Sequence, residues 1–481
     1  MVAPHESSRC PLSVSRRSFL KGLGATAAAV QLGAFEAASS LLGAPPKPKA
    51  KCRIMAAFAH PDVEAYWLGW PGAAYDIAGH QKLYTETLEK AAADLGIDLT
   101  IQQETICDDK RLAAFTEKVK QAKPDGVLMT CMSLNAGWKY INKFLGTRGE
   151  DPVPTVVFTP MGTSFTGHLQ HSRKAAKCFV GATQDVEWLA AALRMLKTVR
   201  EMADTRLCIV RGKQVVDKPQ AVIGTTLHYV PHEHFYAAHK EIKESDEVRA
   251  MADWYQKHAR KIVEPDRKDM IAAAVNYMAC RRLMEQENCH GYSMDCLGPV
   301  GQKKIQPPCL ALSHFRDEGI VGSCEADWNA ALSERLTHLL FNRPGFMQDP
   351  APNTVRNTLM AAHCTCGARL RGCDQDPEPF ILRSHSESNL GVAMQVLWPV
   401  GERITLMKFV GPTKIILGTG EILANIDTPP SGGCRTSVEC TVDGVADSRD
   451  TKGFHQLLVW GDLENEYKAY CALAGIEVEH I

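Results

Sequence analysis

"DGVLMTCMS", residues 125–133, is apolar at most positions between its charged first residue and its closing serine. A strand on a water-facing sheet alternates apolar and polar residues, and this one does not. A continuous apolar run of this length fits a strand buried on both faces, as in a parallel sheet covered by helices. The flanking sequence repeats the pattern. "IMAAFA" (54–59), ending at His60-Pro61, and "TVVFTP" (155–160) are further apolar runs. Between the first two lie a helix predicted from Gly79 to Leu95, the strand-like "IDLTIQQ" and a second helix over 110–122. Strand and helix in alternation predict an α/β architecture with a parallel sheet.

A second unit of the same kind starts at "TRLCIVRG" (205–212), runs through a helix-rich middle at 245–288 and reaches "GYSMDCL" (291–297). After about residue 375 the texture changes. "FILRSHSES" (380–388), "GVAMQVLWPVGERITLMKFVG" (391–411), "TKIILGTGEIL" (413–423) and "TSVECTV" (436–442) are strand-like runs separated by turn residues. They predict a β-rich C-terminal domain, closed by a helix in "DLENEYKAYCALAGI".

Two to four domains suit 481 residues. Lys and Arg total 54 against 55 Asp and Glu, so the net charge of −1 gives no electrostatic reason to expect nucleic acid or an anionic membrane as partner. The 17 cysteines contain no C-x-x-C pair, and the Cys364-Thr365-Cys366 spacing is too close for a zinc knuckle. They read as small buried hydrophobes. Gly418-Thr419-Gly420 lacks the third glycine of a dinucleotide fingerprint and reads as a hairpin turn. The first mature strand lacks that fingerprint too, which argues against a nicotinamide-dependent dehydrogenase.

The N-terminus reads Ser-Arg-Arg-Ser-Phe-Leu-Lys at 15–21, followed by an Ala- and Gly-rich apolar run. It resembles a twin-arginine export signal, with cleavage expected between Ala34 and Ala44. Residues 1–48 are therefore signal and linker, and the twin-arginine export machinery is an expected partner. The expected location is periplasmic or otherwise extracytoplasmic.

Four residues that can do chemistry sit at the edges of predicted elements. Glu325 follows "GIVGSC", a strand end, where open α/β sheets bind ligands. Alone, it also fits an acid that complements a helix dipole, as Asp327 does. Asp349 precedes a proline, as a turn residue does. His363 ends the run in "TLMAAHCTC", and His455 opens one in "TKGFHQLLVWGD". Each histidine alone suits a packed core. As a set, carboxylates with imidazoles suit a divalent ion of Mn²⁺ type more than a thiolate-bound zinc.

"CLALSHFRDEGIVGSCEADWNAAL" (309–332), "FMQDP" (346–350), "AHCT" (362–365) and "GFHQLLVWGD" (453–462) resemble the L-fucose isomerase/L-arabinose isomerase family of metal-dependent sugar isomerases. The resemblance covers about 52–481. It implies two Rossmann-like parallel-sheet domains (49–190 and 191–372) and a barrel-like β-rich domain (373–481). It further implies aldose–ketose isomerisation of a pentose or 6-deoxyhexose through an ene-diol. Glu325 and Asp349 would be acid/base catalysts, and these two with His363 and His455 the ligands of the divalent metal. A homo-oligomer, trimeric or hexameric, is implied as well. The sequence departs from the pattern at one place: the second carboxylate is expected two residues after Phe346, where Gln348 stands, and Asp349 is its neighbour. A catalytically silent carbohydrate-binding homologue is the alternative that Gln348 raises.

Weaker candidates for sugar contact are Gln348, His385 and Glu387, the last two expected on one strand face, and Trp67, which with Trp70 suits stacking on a sugar or core packing. The histidine-rich "HYVPHEHFYAAH" (228–239) reads as an exposed loop or a contact from a neighbouring subunit, with a second metal site as the alternative.

Overall fold

The computed structural model describes residues 51–67, 74–428 and 433–481, the side chains of 65–67 and 74 excepted. The export signal, Trp70 and the Trp67 side chain lie outside the described residues.

The first sheet contains β1 (Arg53–Ala59), β2 (Asp98–Ile101), β3 (Gly126–Cys131), β4 (Thr155–Thr159) and β5 (Cys178–Ala182), in the order β2-β1-β3-β4-β5. Every pairing is parallel. All six residues of β3 are buried, because helices cover it from both sides. On one side Val127 and Met129 pack with Leu112, Phe115, Ile141 and Phe144. On the other, helix Trp188–Ala203 brings Leu196 against Gly126. The predicted helices are present at Ile77–Leu95, capped by Asp76 and ended at Gly96, and at Asp109–Ala122, capped by Asp108. Both caps accept a backbone N–H that the first helical turn leaves free.

The second sheet has β6 (Arg206–Val210), β7 (Val216–Pro219), β8 (Thr226–Val230), β9 (Gly291–Met294) and β10 (Val321–Cys324), in the order β10-β9-β6-β8-β7. Its first four members in that order are parallel, and β7 is an antiparallel edge. Two α/β sheets and a β-rich C-terminal region are therefore the architecture of the chain.

Among the described residues the C-terminal region has nine strands, six of which form a ring. The nine are β11 (Phe346–Asn353), β12 (Thr358–His363), β13 (Phe380–Arg383), β14 (Ala393–Val396), β15 (Arg403–Phe409), β16 (Lys414–Asn425), β17 (Thr436–Cys440), β18 (Gln456–Trp460) and β19 (Glu477–His480). The order β15-β18-β11-β12-β17-β16 closes because β16 also pairs with β15, and β19 adds in parallel to β16. β13 and β14 pair separately, with Lys261–Ile262 on the outer edge of β13. Closure removes the exposed edges that an open sheet of this size would carry.

Four local expectations are corrected. Gly418-Thr419-Gly420 is the middle of β16, not a turn; a Cβ at Gly420 would come within 2.0 Å of the Thr441 carbonyl oxygen, so the glycine admits a crossing chain. Asp349 lies inside β11 rather than in a turn. β13 stops at Arg383, so His385 and Glu387 are in the turn beyond it and share no strand face. "HYVPHEHFYAAH" is no exposed loop: it is the end of β8 followed by helix His232–Glu241.

Candidate metal centre

Glu325 stands one residue past the carboxyl end of β10. The chain must turn there immediately to enter helix Trp328–Phe341. It does so with Glu325 and Ala326 both left-handed, at φ 58° and 53°. Such conformations cost about 1–3 kcal/mol each for residues other than glycine and persist only where the surroundings impose them. Those surroundings are visible. Gly322 lets helix Cys309–Asp317 approach so closely that a Cβ would meet the Leu312 carbonyl oxygen at 2.2 Å. The Gly322 amide donates to Glu334 of the following helix at 3.0 Å, and Glu334 is paired with Arg316 at 2.7 Å. Asp327 caps that helix, its Oδ1 accepting the amides of Asn329 (2.9 Å) and Ala330 (3.0 Å).

The other three residues come from the ring. β11 changes partner in mid-strand: Phe346–Gln348 pair with β18, and Asp349–Asn353 pair with β12. Asp349 is the first residue after the change. β12 ends at His363, and β18 begins at Gln456, just after His455. The two neighbouring strands thus carry their histidines to the place where β11 leaves one for the other.

The side chains converge. His363 Nε2 is 3.8 Å from Glu325 Oε1, and His455 Nε2 is 3.6 Å from Glu325 Oε2 and 3.2 Å from Asp349 Oδ1. Donor atoms of Asp349, His363 and His455 all lie within 4.8 Å of one another. Both histidines are buried, whereas Glu325 and Asp349 are partly open. Asp349 Oδ1 and His455 Nε2 are buried yet have no partner of hydrogen-bond geometry. Apart from facing each other at 3.2 Å, the two atoms have no other group within hydrogen-bond reach, and because buried polar atoms are ordinarily hydrogen-bonded the pair marks a place for a further group.

The imidazoles are oriented to present the same nitrogen. His455 Nδ1 donates to Asp327 Oδ2 at 2.9 Å, and His363 Nδ1 is engaged by Thr365 Oγ1 at 2.9 Å. Each ring is left with Nε2 aimed at the acids. A carboxylate behind a ligating imidazole fixes its tautomer and raises its basicity. Lys408, itself buried, donates to Asp327 Oδ2 at 2.6 Å and to the Phe454 carbonyl.

The electrostatics agree with a cation site. The facing His363 ring holds the Glu325 carboxyl below its ordinary range against the effect of burial. Burial opposes ionisation of Asp327, but His455, Lys408 and the Ala330 amide together pull it far down. Burial alone would lower His455; Asp327, Asp349 and Glu325 outweigh it and raise the imidazole. A field that favours positive charge on His455 also favours a cation at this point, for which the proton competes. Two carboxylates and two imidazoles fit a divalent ion that takes oxygen and nitrogen donors and displaces the ring protons on binding.

Gln348 faces elsewhere. Its Nε2 donates to Gln456 Oε1 at 3.0 Å, on the opposite side of the strands from Asp349 and His455. His385 bonds Ser388 Oγ at 3.0 Å within its own turn, and Glu387 is exposed. His228 is buried between Asp217 (2.6 Å) and Glu287 (2.8 Å), the latter also held by His234 at 3.1 Å, which makes this stretch a hydrogen-bond network. Sequence reasoning missed Lys408, Thr365 and the second role of Asp327. Lys408 did leave a signal, being a lone charge inside the apolar "LMKFV".

Comparison with known proteins gives three findings. Residues 13–33 match the twin-arginine translocation pathway signal sequence. The chain carries an export signal of that route, and its destination is extracytoplasmic. A sulfoquinovose isomerase from Alkalicoccus urumqiensis is 27% identical over 215 residues, 42% of this chain. The match spans 47% of that relative, so about half its length is matched. A sugar-binding protein of a sugar ABC transporter from Bacillus halodurans aligns over 63% of this chain and 91% of its own, at 12% identity and a TM-score of 0.17, a level that carries no structural argument.

Proposed function

We propose that this protein is a metal-dependent aldose–ketose isomerase, exported in folded form, that acts on a pentose or 6-deoxyhexose through an ene-diol. The observation that carries the reading is the cage in which Asp349, His363 and His455 converge, their donor atoms within 4.8 Å of one another, with the Glu325 carboxylate facing both imidazoles. The similarity to a sulfoquinovose isomerase supports a sugar as substrate.

In this reading Glu325, Asp349, His363 and His455 hold a divalent ion, Mn²⁺ by donor type. When bound, such an ion supplies Lewis-acid polarisation of the sugar carbonyl and its neighbouring hydroxyl. The proteins' own groups do the rest. One of the two half-open carboxylates, Glu325 or Asp349, takes the proton from the carbon next to the carbonyl while the other takes the proton of that carbon's hydroxyl. The second then gives its proton to the adjacent carbon and the first gives its proton to the former carbonyl oxygen, which restores both carboxylates. Positioned acid–base groups contribute about 10²–10⁴-fold each. Asp327 and Lys408 keep His455 Nε2 turned toward the cage. A trimer or hexamer of this chain is part of the proposal.

The test is direct. Purified exported protein with Mn²⁺ is given a panel of pentoses, 6-deoxyhexoses and a 6-sulfonated hexose, and aldose-to-ketose conversion is followed. Conversion of at least one sugar is expected. Metal binding with no turnover on the whole panel would instead favour a catalytically silent carbohydrate-binding homologue, the reading that Gln348 supports by standing where the resemblance expects a carboxylate.

A further inference from the structure

Cys324 ends β10 and immediately precedes Glu325. It is buried, and nothing in the function just proposed uses it. Yet its Sγ, a Glu325 carboxylate oxygen and a His363 ring nitrogen all lie within 4.8 Å of one another. This triplet shares His363 with the Asp349–His363–His455 group and adds a sulfur that the other group lacks. Among the described residues these are the two groups of three or more donors close enough to hold a metal ion.

We propose that Cys324 is a further donor of this centre: with Glu325 and His363 it forms a sulfur-bearing flank that captures thiophilic divalent ions, while ions preferring oxygen and nitrogen sit toward Asp349 and His455. The inference rests on the metal-centre reading above. Its logic is ligand softness. Carboxylate and imidazole already bind Co²⁺ and Zn²⁺ more tightly than Mn²⁺, and a thiolate widens that preference, most of all for soft ions such as Cd²⁺. Capture exchanges the thiol proton for the metal: the S–H bond breaks, an S–metal bond forms and one proton leaves to solvent. His363 can serve either flank because Thr365 engages its Nδ1 and leaves Nε2 for the ion. Cys296, whose Sγ is 3.7 Å from that of Cys324, belongs to neither group of donors. An ion drawn toward sulfur loses its hold on Asp349, so thiophilic ions should displace Mn²⁺ and inhibit.

The experiment uses metal-free exported protein and one equivalent of Co²⁺, read by near-ultraviolet absorption. A thiolate-to-cobalt charge-transfer band is expected. It should vanish in Cys324→Ser and Cys324→Ala and persist in Cys296→Ser. In competition assays the ratio of Cd²⁺ to Mn²⁺ affinity should fall on the order of tenfold or more in Cys324→Ala, at least the scale known for removal of a supporting group. Cobalt bound at one equivalent to the wild type without the band would overturn the sulfur flank and leave the metal centre standing. Failure to bind any divalent ion would overturn both. The wild-type spectrum is decisive even if the variants fold poorly.

Discussion

Asp327 divides its two oxygens between two tasks. Oδ1 caps a helix, and Oδ2 holds His455 and Lys408. Asparagine is as good a cap as aspartate, so Asp327→Asn separates the tasks. The helix should survive, while Mn²⁺ affinity should drop about 10–100-fold, the usual loss when the group behind a ligating histidine is removed. Isothermal titration would show it, and unchanged affinity would mean that His455 needs no such support. Glu325→Gln should leave the thermal melt unchanged and lower turnover by about 10²–10⁴-fold; wild-type turnover would remove Glu325 from the chemistry. At this scale the sequence was readable where an acid or histidine stands at the end of an apolar run, as Glu325, His363 and His455 do. It was not readable for Lys408, because a buried cation is recognisable only once its distant partner, 81 residues away, is known.

The turn that carries Glu325 is braced by a fully buried ion pair. Arg316 and Glu334 are both 0% exposed and tie two helices to β10 through the Gly322 amide. Burial pushes the Glu334 carboxyl up, and Arg316 and the Gly322 amide pull it back. Removing one partner of such a pair typically costs about 3–5 kcal/mol, whereas replacing both by well-packed apolar residues is often neutral. Glu334→Gln should therefore lower unfolding free energy by roughly that amount in urea, and Arg316→Met/Glu334→Leu should recover most of it. Equal stability of the single variant and the wild type would show that the brace is dispensable. β11 marks the limit of sequence reasoning for elements. Asp349-Pro350 has the composition of a turn, but proline lacks an N–H donor and is tolerated where a strand changes partner. No local pattern distinguishes these cases, because the deciding partners are β12 and β18, the latter about a hundred residues on.

Over the whole molecule, the parallel sheets were legible because burial on both faces leaves an unmistakable apolar run, as in β3. The closed ring was legible only as β-rich texture. Its closure depends on β16 bending to serve β15, β17 and β19, and each of its strands viewed alone resembles any other. A buried histidine gives this fold a pH dependence. Neither ring nitrogen of His338 has a hydrogen-bond partner, and burial, reinforced by Arg335 and Arg316, pushes its pKa from 6.5 down to about 3. The folded state thus keeps the ring neutral while the unfolded chain binds a proton. Its contribution is complete above about pH 6.5 and is lost as the pH falls toward about 3. Urea midpoints should decline across that window, with a shallower decline in His338→Leu; parallel declines would exclude this histidine as the cause. The cage between β10 and the ring is where a metal ion would bind. Electron paramagnetic resonance of Mn²⁺ titrated into the metal-free exported protein tests it most directly. One bound ion per chain, lost in Asp349→Ala and in His455→Ala, is the predicted result. No bound ion in the wild type, or the same binding in both variants, would contradict it.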